Sequence, residues 1–177
     1  LCVGSELVLV SPVKVVQTLF TVIFDPDFLK TVWYSAARIL GGFFTALTLG
    51  TVLGWVASRF WVVETLLRPI TAVIKATPVA SFIILVLLWF SGKNLSVIIS
   101  MLMVFPVIYM NVLEGIRSAD EKLLEMAQVF RLSVGKKLLY IYLPAVAPFF
   151  VSACSVSLGL CWKSGIAAEV IGTPNGS

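Results

Sequence analysis

The sequence predicts an all-α protein, a polytopic bundle of membrane-spanning helices. Three observations predict it. Hydrophobic residues make up 59% of the chain and charged residues 12%, where a soluble domain carries about a quarter charged. Mean hydropathy is +1.04, and several apolar runs approach the ~20 residues that a helix needs to cross a bilayer. The one long polar, charged segment runs from Glu114 to Leu143. An oily chain that exposes a single helical polar loop holds that loop out to a soluble partner.

Charge and residue types narrow the function. The net charge of +4 is spread along the chain, which reads as basic loops beside a bilayer and not as a nucleic-acid surface. The chain has no histidine, so the commonest general base and metal ligand is missing. Cys154 and Cys161 share a helix face but stand roughly 10 Å apart along the axis, too far for a bridge. With Cys2 they form no zinc spacing. No catalytic residue and no metal site is expected.

The elements follow in order. After Ser11-Pro12, the residues Val13, Val16, Leu19 and Phe20 have a short helical pattern, and Asp25-Pro26-Asp27 reads as a turn. The first span is Tyr34 to Ala57. Its Gly42, Ala46, Gly50 and Gly54 recur every fourth residue, a small face that admits a neighbouring helix closely. Ser58 to Arg68 reads as a short loop. The second span runs from Pro69 to Phe90 and is interrupted at Pro78, beside Thr77 and Ser81. Ser91-Gly92-Lys93-Asn94 is a tight turn. The third span, Leu95 to Leu113, contains Pro106, which is expected to break it. The fourth, Pro144 to Trp162, is rich in small and hydroxyl residues, Ser152 and Ser155 among them. Lys163 to Glu169 then reads as a semi-polar tail.

Four spans alternate sides, so the 58–68 loop and the 114–143 segment face the same way. Their side carries Arg59, Arg68, Arg117, Lys122, Arg131, Lys136 and Lys137, against Lys14, Lys30, Arg38, Lys93 and Lys163 on the other. Seven basic residues against five favour a cytoplasmic polar segment.

Within that segment Ser118 and Glu121 have capping-box spacing and start a helix reaching Phe130. Leu123, Ala127 and Phe130 share its apolar face, with Glu121, Glu125 and Gln128 opposite. Ser133 caps a second helix to Tyr140, and Leu143-Pro144 starts the next span. The apolar face suits packing under the bundle, and the acidic face suits a partner.

Glu125 and Ala127, followed at the proper offset by Ile141-Tyr142-Leu143-Pro144, resemble the cytoplasmic signature of binding-protein-dependent ABC importer permeases. That signature reads Glu-Ala-Ala, three residues, Gly, nine residues, Ile-x-Leu-Pro. Ser35-Ala36-Ala37-Arg38, Gly41-Gly42-Phe43, Ala76-Thr77-Pro78, Phe105-Pro106, Ala119-Asp120, Trp162-Lys163 and Ala167-Ala168-Glu169 are similar to the nitrate/sulfonate/taurine branch. Two positions depart. Met126 stands where the family has alanine, and Arg131 where it usually has glycine. Because a left-handed conformation suits glycine, Arg131 implies a different turn, with Gly135 taking up part of the flexibility.

The resemblance implies a bacterial inner-membrane, multi-pass subunit with six spans. Four of them are expected in this single 1–177 transmembrane domain, truncated at both ends, with 114–143 as its coupling loop. It implies a second permease copy as homodimer, cytoplasmic ATP-binding subunits that hold the ATP and magnesium, and an extracytoplasmic solute-binding protein. ATP hydrolysis belongs to the partner, and the chain has no Gly-x-x-x-x-Gly-Lys-Ser/Thr loop. Glu125, Ala127, Arg131, Gly135, Leu143 and Pro144 are then expected at the ATPase contact. Thr77, Pro78, Ser81, Pro106, Ser152 and Ser155 are expected along the solute path. Branch substrates include nitrate, sulfonates, taurine and bicarbonate, and Arg38 and Lys163 near one mouth suit an anion. An ion-driven secondary transporter would need ionisable residues buried at mid-span, and a non-transporting assembly subunit would not need broken, hydroxyl-rich helices.

Overall fold

A computed structural model of the chain describes residues 15, 18, 20, 22–89 and 94–172. Cys2, most of the pattern after Ser11-Pro12, residues 91–93 and the last residues from 173 lie outside them. The chain forms two units, Leu1–Ala37 and Arg38–Ser177. In the first, the Asp27 amide donates to Asp25 Oδ1 at 3.1 Å. Asp25 thus caps a helix whose first residue, Pro26, has no amide to leave unsatisfied. The expected turn is therefore a helix start: α1 is Pro26–Arg59 and begins before Tyr34.

Among the described residues the second unit consists of helices joined by short breaks, with no strand. The 58–68 loop shrinks to a break at Phe60, and α2 is Trp61–Ala76 with Pro69 inside it. Packing overrides the turn reading here, because Val63 and Leu67 lie against Ala57, Tyr109 and Leu113. Thr77 is extended before Pro78, as a residue preceding proline prefers. α3, Val79–Trp89, then leaves at 108° to α2. The second span is thus a bent pair, with its break at Pro78 as the sequence places it.

α4, Leu95–Arg117, continues through Pro106 and past Asn111. Pro106 is fully buried. Its missing amide costs one hydrogen bond, and α4 continues past it where neighbouring helices bury it. α5 is Glu121–Val129. α6 is one 39-residue helix, Val134–Gly172, so the expected semi-polar tail is helical up to Gly172. Pro144 and Pro148 both lie inside it.

α4 is the hub. A β-carbon on Gly42 of α1 would sit 2.5 Å from the Val97 carbonyl oxygen, and one on Gly50 would sit 3.0 Å from Ile108. One on Gly54 would meet Val112 at 3.0 Å. Ala46 is wholly buried in the same interface cluster. Residue numbers rise together along this contact, so the stretch of α1 from Gly42 to Gly54 and α4 run parallel. α6 runs the opposite way. Its Val146 lies against Gly115, and its Gly172 lies against Leu95. Between them the Ser100 hydroxyl donates to the Cys161 carbonyl at 3.2 Å. Ile83 and Val86 of α3 close the far end against Leu95, Ile99 and Ala168. α1, α4 and α6 are each long and apolar enough to cross a membrane. The α2–α3 pair travels from the Arg117 end of α4 back to its Leu95 end.

Candidate functional site

The polar segment is built from its caps. Because α4 reaches Arg117, Ser118 ends that helix, and its hydroxyl donates to the Gly115 carbonyl at 2.9 Å. The expected capping box is replaced by Asp120, whose carboxylate accepts the Lys122 amide at 2.9 Å. Aspartate is a strong N-cap and its charge favours the positive end of α5.

α5 turns one face inward. Ala127 is 0% exposed and forms a small core with Ala119 and Ile141, flanked by Leu124 and Leu132. Of the expected Leu123, Ala127 and Phe130 face, only Ala127 is buried. Leu123 and Phe130 are 42% and 71% exposed, because the helix is rotated to seat Leu124 beside Ala127. Glu121, Glu125 and Gln128 are exposed. So are Met126, Val129 and, beyond the turn, Val134. The outward surface is therefore apolar with acidic residues through it.

The turn after α5 corrects a second expectation. Arg131 itself takes the left-handed conformation, with φ of 49°. Its amide donates to the Gln128 carbonyl at 3.0 Å, and the Leu132 amide reaches the Ala127 carbonyl at 2.9 Å. This pair of bonds is a Schellman ending, in which glycine is the usual residue at the left-handed position. Leu132 supplies the accompanying apolar contact over Ala127. Arg131 thus makes the turn that glycine makes, and Gly135 lies in α6 with ordinary helical φ.

Ser133 stands at the start of α6, but its side chain makes no cap bond. α6 does not restart at Leu143-Pro144. It widens into a π-helical segment, Leu138–Tyr142, where the Leu143 amide donates to the Leu138 carbonyl. Proline at 144 cannot donate to the preceding turn, and a π segment absorbs the lost bond without ending the helix. Leu143 and Pro144 are exposed. Leu143 also lines an apolar crevice of about 280 Å³ with Trp55, Ile116 and Leu138. The motif residues therefore divide: Ala127 and Ile141 seat the loop, while Glu125, Leu143 and Pro144 face outward.

The proposed path residues do not converge in one cluster. Thr77 sits at the α2–α3 break, where its hydroxyl bonds the Val73 carbonyl at 2.8 Å. Pro78 and Ser81 follow it, exposed, and the Ser81 amide donates to the Pro78 carbonyl at 3.0 Å. Pro106 is in the interior. Ser152 and Ser155 lie on the exposed side of α6, and the Ser155 hydroxyl bonds the Val151 carbonyl at 3.0 Å. Among the described residues the buried hydroxyl-bearing side chains are instead Thr71, Ser96, Ser100, Tyr109, Ser157 and Ser164.

One charged group escaped the sequence reading. Glu64 is in α2, not a loop. Its carboxylate accepts from Arg117, and Arg68 stands 3.8 Å away. The available signal was the Glu64–Arg68 spacing of four inside an otherwise apolar run.

Residues 46–177 match the family described as the binding-protein-dependent transport system inner membrane component. The chain is 30% identical over 176 residues to SsuC of Bacillus subtilis, named for aliphatic sulfonates transport. That match covers 98% of this chain and 63% of SsuC. It is 26% identical over 178 residues to TauC of Escherichia coli, a taurine transport permease, covering 97% of this chain and 65% of TauC. It is 26% identical over 139 residues to CmpB of Synechococcus elongatus, a bicarbonate transport permease. That alignment covers 77% of this chain and 50% of CmpB.

Proposed function

The chain belongs to the binding-protein-dependent transport system inner membrane component family, a multi-pass protein of the bacterial inner membrane, and from that premise we propose that it forms the solute path of an ABC importer and couples it to a cytoplasmic ATPase through α5. The observation that carries this reading is the division of labour in the polar segment. Ala127 and Ile141 fix α5 to the bundle, and Glu125, Met126, Val129 and Phe130 are left outward. A rigid, tethered helix with an apolar and acidic outer face suits a cleft on a soluble partner.

ATP and magnesium belong to that partner in this reading. A second permease copy completes the path, and an extracytoplasmic binding protein delivers the solute. The relatives are named for transport of aliphatic sulfonates, taurine and bicarbonate. Their shared chemistry is a small solute bearing a compact oxyanion group, which we take as the substrate class. Co-purification of the chain with an ATPase subunit is the test. Retention of the partner by wild type, and its loss in Glu125→Lys at unchanged membrane levels, supports the reading. A Glu125→Lys chain that retains the partner and imports normally refutes it.

A further inference from the structure

We propose that Glu64 is a positioning residue that carries movement of the α5 loop into the bent α2–α3 segment, through its ion pair with Arg117. The proposal rests on the reading of α5 as the ATPase contact.

Glu64 lies in the first turn of α2 and Arg117 in the last turn of α4. Each charge therefore sits at the helix end whose dipole favours it. The Glu64 side chain is only 12% exposed, and Arg117 is half-exposed beside it. Arg68, on the same helix, is 3.8 Å off and largely in solvent, so Arg117 is the principal neutralising partner. Parting the pair leaves the largely buried Glu64 carboxylate without its main partner. A displacement of Arg117 at the end of α4 therefore makes the Glu64 carboxylate either follow it or take another partner, and α2 is biased in both cases. Only Ser118, Ala119 and Asp120 separate Arg117 from α5. At its other end α2 leads directly into the 108° break at Thr77-Pro78.

The surroundings leave room for a second arrangement. A cavity of about 140 Å³ adjoins the pair, lined by Glu64, Arg68, Tyr109, Glu114 and Arg117. Tyr109 is 2% exposed, and its hydroxyl has no hydrogen-bond partner. A buried hydroxyl without a partner is costly. It gives the Glu64 carboxylate an alternative acceptor role when Arg117 shifts. Two discrete pairings of one buried carboxylate make a two-state element, which is what transmission between sites requires.

The experiment uses the complete complex of permease, ATPase and binding protein in proteoliposomes. An environment-sensitive fluorophore is placed on Ile84→Cys, an exposed position of α3, with the native cysteines replaced by alanine. The signal is its change on trapping with ATP and vanadate. Glu64→Gln and Arg117→Gln should each shrink that change about tenfold while ATP hydrolysis continues. The double variant should fall no further than either single one, and Glu64→Asp should retain most of the change. An undiminished change in Glu64→Gln overturns the proposal. So does a loss that merely tracks lost assembly and heat stability, which marks a structural brace. If wild type assembles and hydrolyses ATP with no change at Ile84→Cys, the proposal falls and the docking reading stands. If wild type retains no ATPase, the docking reading itself fails and takes the proposal with it.

Discussion

Arg131 holds a left-handed φ at the end of α5. A side chain there costs about 1–2 kcal/mol, and glycine would relieve it while giving back roughly 0.4–1 kcal/mol in unfolded-chain entropy. Arg131→Gly should therefore stabilise the α5 turn by about 0.5–1 kcal/mol. Slower exchange of the Leu132 amide, which closes the Schellman bond, would report it; faster exchange would contradict it. Glu125 sits on the exposed face of the same helix. Under the proposed docking, Glu125→Lys should lower uptake about tenfold or more at normal expression, as measured by solute import into whole cells. The sequence made the positions of both residues visible. It could not show that Arg131 accepts the glycine conformation, because that depends on Ala127 and Leu132 closing the turn from inside.

At the scale of the helices, the small face of α1 meets backbone at Gly42 and the branched side chains of Ile108 and Val112 at Gly50 and Gly54. A methyl on Gly42 would press on the Val97 carbonyl oxygen, while one on the adjacent Gly41 would meet nothing within 4 Å. Gly42→Ala should lower stability in detergent by about 1–3 kcal/mol. Gly41→Ala should be neutral or gain up to ~1 kcal/mol from helix propensity. Equal melting shifts for the two would show that α1 does not bear on α4 as described. Four-residue spacing made this face readable in advance. Three other features were not readable. Phe60 stands in for a whole loop, because Val63 and Leu67 are drawn into contact with Tyr109 and Leu113. Pro106 fails to break α4, because neighbours bury it. Pro144 is carried by a π segment within one continuous α6. In each, tertiary contacts overrule a local rule.

For the whole molecule, α4 separates two ends by about 34 Å, its length at 1.5 Å per residue. That exceeds the ~30 Å hydrocarbon core. Asn94 precedes one end and Lys122 follows the other, so they should face opposite compartments. With Cys2, Cys154 and Cys161 replaced, Asn94→Cys should react with an impermeant thiol reagent in intact cells, and Lys122→Cys only after lysis. The reverse pattern would put α5 outside and remove it from any ATPase. The all-helical class and the family were legible because hydropathy and motif spacing are local properties of the chain. The Glu64–Arg117 pair was not, since it joins residues 53 apart and only the bundle brings them together.

The central place of α4 also bears on how the protein is made. The partners of Gly42, Gly50 and Gly54 all lie in α4, so α1 enters the bilayer before the surface that will cover its small face has been synthesised. At ribosomal speeds of about 5–20 residues/s, the interval from Gly42 to Val97 lasts roughly 3 to 11 s. During it, the glycine face of α1 is open to any passing helix. Chains cut short before Val97 would lack every partner of that face, and should therefore be removed faster by membrane proteases than chains that reach Arg117.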